Sequence, residues 1–334
     1  MNSKLNVLKY NKIITDGSVF NELNLMIYLT YRCNYSCDMC FLRKHNRNDF
    51  EFSLNDLEQF LCDKKLNKVI LTGGEIFIRN DCIKIINYFN TKAKEVTIIT
   101  NGSYLDDGLI NEINNFKNVK DIIFSIDGLK NTHDQIRKNG SFDHILSIIN
   151  NFSEEKNLIV NTVVQEKNIN EIYELSKILS NKKVSTHSLQ LKMEYLSTEL
   201  MSDTGNKDCV NDKINFDYLL KLQEQISKIE NNKLPIKLVI KPNYVLCDIQ
   251  KYRNLEKFQK CYCEDIIKPM LKILPDGTIS ICEALNMNIG NIYSNSIEIM
   301  HSDTVNNLRK DFFENDMSLQ CVRCCNYGVI YNEK

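Results

Sequence analysis

"LNLMIYLTYRCNYSCDMCF", residues 23–41, opens with an apolar run and continues into three closely spaced cysteines. The run LNLMIYLT predicts a buried strand, and Cys33, Cys37 and Cys40 follow it directly. Their spacing also matches one face of a helix, on which cysteines would pack as small hydrophobes. Polar neighbours such as Arg32 do not suit a buried helix face. The stretch therefore favours a metal-binding loop placed after a strand, where α/β folds carry their functional loops.

A strand-then-helix rhythm begins near residue 24 and continues to about residue 200. Further apolar, β-branched runs predict strands at 68–72, 95–100, 121–126, 157–164 and 187–193. Helical patterns lie between them, among others at 53–66, where Ser53 would be the N-cap, at 81–90 and at 170–180. Six strands interleaved with helices predict an α/β fold with a parallel sheet, open or closed, which binds ligands at the carboxyl ends of its strands.

The pattern changes after about residue 200. An amphipathic helix at 216–231 and a short strand at 236–240 follow a polar link, and LKILPDGTISIC (271–282) predicts a hairpin that turns at PDG. We therefore expect four parts: a lead segment, an α/β domain, a linker with a bridging helix, and a small cysteine-rich domain, at 1–23, 24–200, 201–255 and 256–334.

Composition excludes several classes of function. The net charge is −1, from 42 basic and 43 acidic residues, so no global field favours nucleic acid or an anionic membrane. The first residues contain no continuous apolar segment, and no run of 18 apolar residues occurs, which predicts a cytoplasmic protein. The 13 cysteines indicate metal binding or redox chemistry rather than a disulfide framework.

Polar segments follow successive predicted strands: LTGGEI, ITNGS and FSIDG. With the CxxxCxxC spacing, which alone would also suit a zinc knuckle, they closely resemble the radical S-adenosylmethionine family over about residues 24–195. The resemblance implies a partial (βα)6 TIM-like barrel. It also implies a four-iron four-sulfur cluster held by Cys33, Cys37 and Cys40, with S-adenosylmethionine on the open iron. Reductive cleavage of S-adenosylmethionine would then give a 5′-deoxyadenosyl radical that abstracts hydrogen from a substrate.

The same resemblance implies contacts to S-adenosylmethionine. The methionine moiety would lie against Gly73 and Gly74, its ammonium group near Glu75, and its carboxylate on Arg137 in a bidentate pair. The residues implied near the ribose and the adenosine are Ser125, Asp127 and Asn101. Without the resemblance, GGE and IDG would be ordinary turns and Arg137 a solvated surface charge.

The carboxyl-terminal region resembles the auxiliary-cluster domains called SPASM and, when shortened, Twitch. The Twitch-like form is favoured, because few cysteines follow the final CxxC. It implies one auxiliary four-iron four-sulfur cluster with ligands Cys263, Cys282, Cys321 and Cys324, and with Cys261 and Cys325 as adjacent rivals. A zinc ribbon is the alternative.

The other cysteines divide into two groups. Cys62 and Cys82 fall in predicted helices with apolar neighbours, which predicts packing. Candidate hydrogen-atom donors, should the reaction be an epimerisation, are Cys209, Cys247 and Cys325.

Family membership would make the substrate a ribosomally made peptide or protein, modified by crosslinking, epimerisation or oxidation. The first alternative is a dehydrogenase or epimerase of a small sugar alcohol or aminoglycoside precursor. The second is a non-enzymatic iron- or zinc-binding scaffold, which would have no reason to assemble Gly73, Gly74, Glu75 and Arg137. The expected partners are the substrate and an electron donor such as flavodoxin or ferredoxin, with no nucleic acid and no membrane.

Overall fold

The structure is a computed structural model, and it describes residues 23–40, 42, 50–192, 216–241, 258–263, 270–282, 287–303, 305, 307 and 327–331.

A ten-stranded sheet forms the centre of the described fold. Seven parallel strands follow one another across it in chain order: β1 (Leu23–Tyr28), β2 (Leu66–Thr72), β3 (Ala93–Thr100), β4 (Val119–Ser125), β5 (Asn157–Val164), β6 (Val184–Leu191) and β7 (Lys237–Lys241). This is the strand order of a partial (βα) barrel, so the predicted α/β class is confirmed. The carboxyl ends of these strands lie at one edge of the sheet.

Helices join most of the parallel strands. They are α1 (Leu54–Leu61), α2 (Cys82–Lys92), α3 (Asp107–Asn115), α4 (Lys130–Ile136), α5 (Ser141–Ile148), α6 (Ile172–Ser180) and α7 (Phe216–Asn231), with 3₁₀ turns at Ile76–Ile78, Ile149–Asn151, Ile169–Glu171 and Ile297–His301. Alternate strand residues such as Leu25 and Ile27 pack with the buried faces of the helices in one core. Burial of each such side chain stabilises the fold by about 1.5–3 kcal/mol.

The first helix begins as predicted and ends earlier. Ser53 is its N-cap and forms a capping box with Asp56. The helix ends at Leu61, because Cys62 has a φ of 48° and caps it. Cys62 is exposed, so its predicted packing role is wrong, whereas Cys82 is buried as predicted.

The described part of the carboxyl-terminal region continues the same sheet. β9 (Met270–Ile273) pairs in parallel with β1, and β10 (Thr278–Cys282) and β11 (Met287–Asn291) extend the sheet as antiparallel strands. The hairpin predicted to turn at PDG is therefore confirmed. β8 (Phe258–Cys263) and β12 (Tyr327–Tyr331) form a separate antiparallel pair. The four-part division of the chain stays a prediction.

A buried histidine joins three elements of the barrel. His187 on β6 lies within hydrogen-bond distance of Thr162 on β5 and Ser176 on α6, at 2.8 Å from each hydroxyl. The Thr162 hydroxyl donates to the Ile126 carbonyl, so its oxygen accepts from His187 Nε2–H. Ser176 can then donate to His187 Nδ1, and the ring is held neutral. Burial lowers the pKa of His187 to about 3.

Among the described helices, none has the length and apolar content needed to cross a lipid bilayer.

Candidate functional site

The three cysteines of the opening motif lie on the loop that follows β1. Cys37 is buried, with 6% of its surface exposed, and Cys33 and Cys40 are half-buried. The Cys40 amide donates to the Cys37 carbonyl over 3.1 Å, and the Tyr35 amide approaches Cys33 Sγ at 3.4 Å. The loop thus forms a compact turn at the carboxyl end of a central strand, which is the functional end of such sheets.

Gly73 and Gly74 lie against the backbone that leads into this loop. The Gly74 amide donates to the Thr30 carbonyl over 2.8 Å, and the Glu75 amide donates to the Arg32 carbonyl over 2.9 Å. A Cβ on Gly74 would lie 2.1 Å from the Arg32 oxygen, and Gly73 adopts a φ of +146°. Close backbone contact between two loops therefore requires glycine at both positions.

Glu75 ties its own loop to the end of β3. Its carboxylate accepts hydrogen bonds from the Thr100 hydroxyl at 2.9 Å, the Asn101 amide at 2.7 Å and the Phe77 amide at 3.2 Å. The residue is fully buried, and this burial raises the pKa of Glu75 to about 6. Its oxygens are thus occupied by the surrounding loops.

Asn101 lies next to the first cysteine. Its Nδ2 is 3.8 Å from Cys33 Sγ and 3.0 Å from Asn34 Oδ1. Its Oδ1 accepts from the Ser103 amide at 2.9 Å. The carboxamide is buried, with 6% of the residue exposed, so the loop after β3 meets the cysteine loop at this point.

Arg137 and Asp127 form an ion pair beside the second cysteine. Arg137 Nε donates to Asp127 Oδ2 at 2.5 Å, and Nη1 lies 3.8 Å from Cys37 Sγ. The other Asp127 oxygen accepts from the Val163 amide at 2.7 Å, and Asp127 is fully buried. Ser125 precedes Asp127 by two residues at the end of β4 and is half-buried. The carboxylate therefore fixes a guanidinium whose remaining N–H groups are directed at the cysteine loop.

The donor set suits an iron–sulfur cluster. Among the described residues no three His, Cys, Asp or Glu side chains converge on a point that could hold a single metal ion. A four-iron cluster binds its thiolates at separate irons and so needs ligands set further apart. Burial raises the pKa of Cys33 and of Cys37, while Arg137 opposes this effect at Cys37. Iron, which binds the thiolate, would deprotonate both.

The predicted auxiliary ligands lie only partly within the described residues. Cys282 is the last residue of β10 and is half-buried, and Cys261 and Cys263 are in β8. Outside the described residues lie Cys209, Cys247, Cys321, Cys324 and Cys325.

Sequence reasoning missed two neighbours of the cysteine loop. Glu51 accepts two hydrogen bonds from Arg32, each of 2.9 Å, and another from Thr30. Asn34, between the first two cysteines, accepts from Asn101 and donates to the Ser103 hydroxyl at 2.8 Å. The position of Asn34 inside the motif could have drawn attention to it. Glu51 carries no signal in the sequence.

Comparison with known families gives two matches. The model of the radical SAM superfamily matches residues 27–179. The model of the SPASM domain, described as an iron–sulfur cluster-binding domain, matches residues 249–325. The second match is to SPASM itself, of which Twitch is the shortened form.

Individual relatives and structures agree with these matches. AlbA of Bacillus subtilis strain 168, an antilisterial bacteriocin subtilosin biosynthesis protein, is 28% identical over 175 residues, which are 49% of this chain and 39% of AlbA. The GTP 3′,8-cyclase of Clostridium perfringens strain 13 is 24% identical over 273 residues, 77% of this chain and 79% of the cyclase.

Among solved structures, Streptococcus suis SuiB bound to the precursor peptide SuiA superposes with a TM-score of 0.66 at 18% identity, over 91% of this chain and 69% of SuiB. At this identity the likeness concerns the fold. This chain belongs to the radical S-adenosylmethionine superfamily and carries a SPASM domain, so it is an enzyme of the class that uses a four-iron four-sulfur cluster, S-adenosylmethionine and auxiliary iron–sulfur binding.

Proposed function

We propose that this protein modifies a ribosomally made peptide by radical chemistry, with Cys33, Cys37 and Cys40 as the ligands of the cluster that reduces S-adenosylmethionine. The observation that carries the ligand assignment is the meeting of the cysteine loop with Gly74, Asn101 and Arg137 at the ends of successive strands. The peptide class is supported by the likeness to AlbA and to the fold of SuiB, which binds a precursor peptide.

The chain's own residues would divide the binding of S-adenosylmethionine between them. When bound, the reduced cluster and S-adenosylmethionine supply a 5′-deoxyadenosyl radical that takes a hydrogen atom from the substrate. Arg137, fixed by Asp127, presents N–H groups to the carboxylate of S-adenosylmethionine. Ser125, at the end of β4, is placed to meet its ribose.

Cleavage of S-adenosylmethionine tests the ligand assignment. After anaerobic reconstitution and reduction with dithionite, the protein is expected to form 5′-deoxyadenosine, measured by liquid chromatography. Replacing Cys33, Cys37 and Cys40 together with alanine should abolish this product, while Cys62→Ala, at an exposed cysteine outside the loop, should retain it. Cleavage that persists in the triple variant would remove these cysteines from the proposal.

Mass spectrometry of candidate peptides tests the substrate class. Short peptides encoded beside the gene would be incubated with the reduced protein and S-adenosylmethionine. Crosslinking or oxidation is expected to remove hydrogen from the peptide, and epimerisation in deuterated water to add one solvent deuterium. For epimerisation we propose Cys209, Cys247 or Cys325 as hydrogen-atom donor, so one of the three alanine variants should fail to incorporate deuterium.

A nucleotide substrate is the second candidate, because the relative that shares the largest part of this chain is a GTP 3′,8-cyclase. The same reaction with GTP in place of peptide distinguishes the two classes. Consumption of GTP together with formation of 5′-deoxyadenosine, with every peptide unchanged, would replace the peptide proposal. Flavodoxin or ferredoxin is proposed as the physiological electron donor and can be tested in place of dithionite.

A further inference from the structure

The contact between Asn101 and Cys33 has a defined direction. Asn101 Oδ1 faces the Ser103 backbone amide, which can only donate a hydrogen bond, so this atom of the carboxamide must be the oxygen. The amino group then faces Cys33 Sγ at 3.8 Å and Asn34 Oδ1 at 3.0 Å. One N–H is used by Asn34, and the other is directed at the sulfur.

The surroundings hold this carboxamide in place. The Asn101 backbone amide donates to buried Glu75, and the Asn34 side chain donates to the Ser103 hydroxyl. Asn101 is itself almost completely buried. Water therefore competes little for the N–H that faces the sulfur, and the contact is electrostatically stronger than it would be in solvent.

We infer that Asn101 sets the reduction potential of the cluster held by the cysteine loop, by donating a hydrogen bond to the Cys33 sulfur. The inference rests on the proposed ligand role of Cys33. Hydrogen bonds to cluster sulfurs are among the factors that fix such potentials. A donor stabilises the extra negative charge of the reduced cluster and so raises its potential. Asn101 is a positioning and tuning residue here rather than a catalytic one.

The test is a redox titration followed by electron paramagnetic resonance on the reconstituted full chain. The relevant signal is the one that changes when S-adenosylmethionine is added, since only a cluster with an open iron responds. Asn101→Leu removes the donor, and its midpoint potential is expected to move to more negative values. Ser103→Ala is the matched control, because it removes a hydroxyl from the same network but keeps the Asn101 N–H and the Ser103 amide. Its potential should stay at the wild-type value.

A second variant covers failure of the first to bind iron. Asn101→Asp keeps the side-chain shape and the oxygen that faces Ser103, but it presents an acceptor to Cys33, so its potential should also fall. Equal potentials in the wild type and in either Asn101 variant with a full iron content would overturn the inference. Failure of the proposed ligand role looks different: the wild type itself would lack a signal that responds to S-adenosylmethionine, and the inference would fall with it.

Discussion

Gly74 is the residue at which two loops of the site come closest together. A methyl group there would lie 2.1 Å from the Arg32 carbonyl oxygen, next to Cys33. Gly74→Ala is therefore expected to displace the cysteine loop, to lower the iron content and to cost about 1–3 kcal/mol of stability, as overpacking does. Iron per chain and thermal melting measure both effects.

Gly108→Ala is the control for this variant. Gly108 lies in α3, and its nearest contact for an added Cβ is 3.4 Å away. Alanine favours a helix over glycine by about 0.5–1 kcal/mol, so this variant should be at least as stable as the wild type and bind the same iron. Equal iron content in the Gly74 and Gly108 variants would contradict the role of close loop contact.

Arg137 can be tested apart from the iron. Its guanidinium is held by Asp127, so Arg137→Ala should weaken binding of S-adenosylmethionine by about 2–4 kcal/mol, a typical cost when one partner of a buried charge pair is truncated. Arg137→Lys keeps the charge and loses the planar fork, and its loss should be partial. Isothermal titration of the reconstituted protein gives the affinities.

Lys130→Ala serves as the control for Arg137, since Lys130 is an exposed cation on the neighbouring helix. It should bind S-adenosylmethionine like the wild type. An affinity unchanged by Arg137→Ala would return Arg137 to the class of structural ion pairs with Asp127.

The candidate residues could be found from the sequence because their chemistry is written in short motifs. Cysteines four and three residues apart, or two adjacent glycines after a strand, keep their meaning without coordinates. The contacts of Asn101 with Cys33 and of Glu51 with Arg32 join segments with no fixed spacing. Only the folded sheet brings those side chains together, so pattern reading could not supply them.

At the scale of elements, His187 should give the fold a dependence on pH. Its pKa is lowered to about 3 by burial, whereas an unfolded histidine titrates near 6.5. Its contribution is complete above pH 6.5 and is lost as the pH falls below that value, because the unfolded chain then binds the extra proton. The slope from one such group is at most about 1.4 kcal/mol per pH unit.

The variant His187→Gln isolates this effect. We expect it to be less stable at pH 7.5, since Thr162 and Ser176 lose their partner, yet to lose less stability than the wild type between pH 7.5 and pH 5.5. Melting temperatures under nitrogen at the two pH values give the comparison. His133, whose pKa burial lowers to about 4, would maintain part of the acid sensitivity. Parallel pH dependences in the variant and the wild type would show that His187 does not contribute.

The elements themselves were largely predictable from apolar runs and caps. The runs 95–100 and 157–164 lie within β3 and β5, and Ser53 caps its helix as expected. The end of that helix was missed, because a left-handed residue at Cys62 has no signature when the residue is not glycine. The pairing of β9 with β1 was missed as well, since strand partners distant in the chain leave no local pattern.

For the whole molecule, we expect about eight irons per chain, from two four-iron clusters. Replacing Cys321 and Cys324 together with alanine should leave about four irons and retain cleavage of S-adenosylmethionine, while impairing substrate turnover. Iron and zinc analysis of anaerobically purified protein measures this. Cys62→Ala, at an exposed cysteine, should keep all eight irons. About four irons and one zinc in the wild type would favour the zinc ribbon.

The parallel pairing of β1 with β9 determines when the site can be completed during synthesis. Residues 24–27 lie beside residues 270–273, and the Phe52 amide donates to the Pro275 carbonyl over 2.9 Å. Ribosomes add about 5–20 residues per second, so one edge of the strand that leads into the cysteine loop waits many seconds for its partner. Until then its backbone N–H and C=O groups are open to pairing with another chain. Delivery of iron to a nascent chain should accordingly be productive only after the carboxyl-terminal hairpin has left the ribosome.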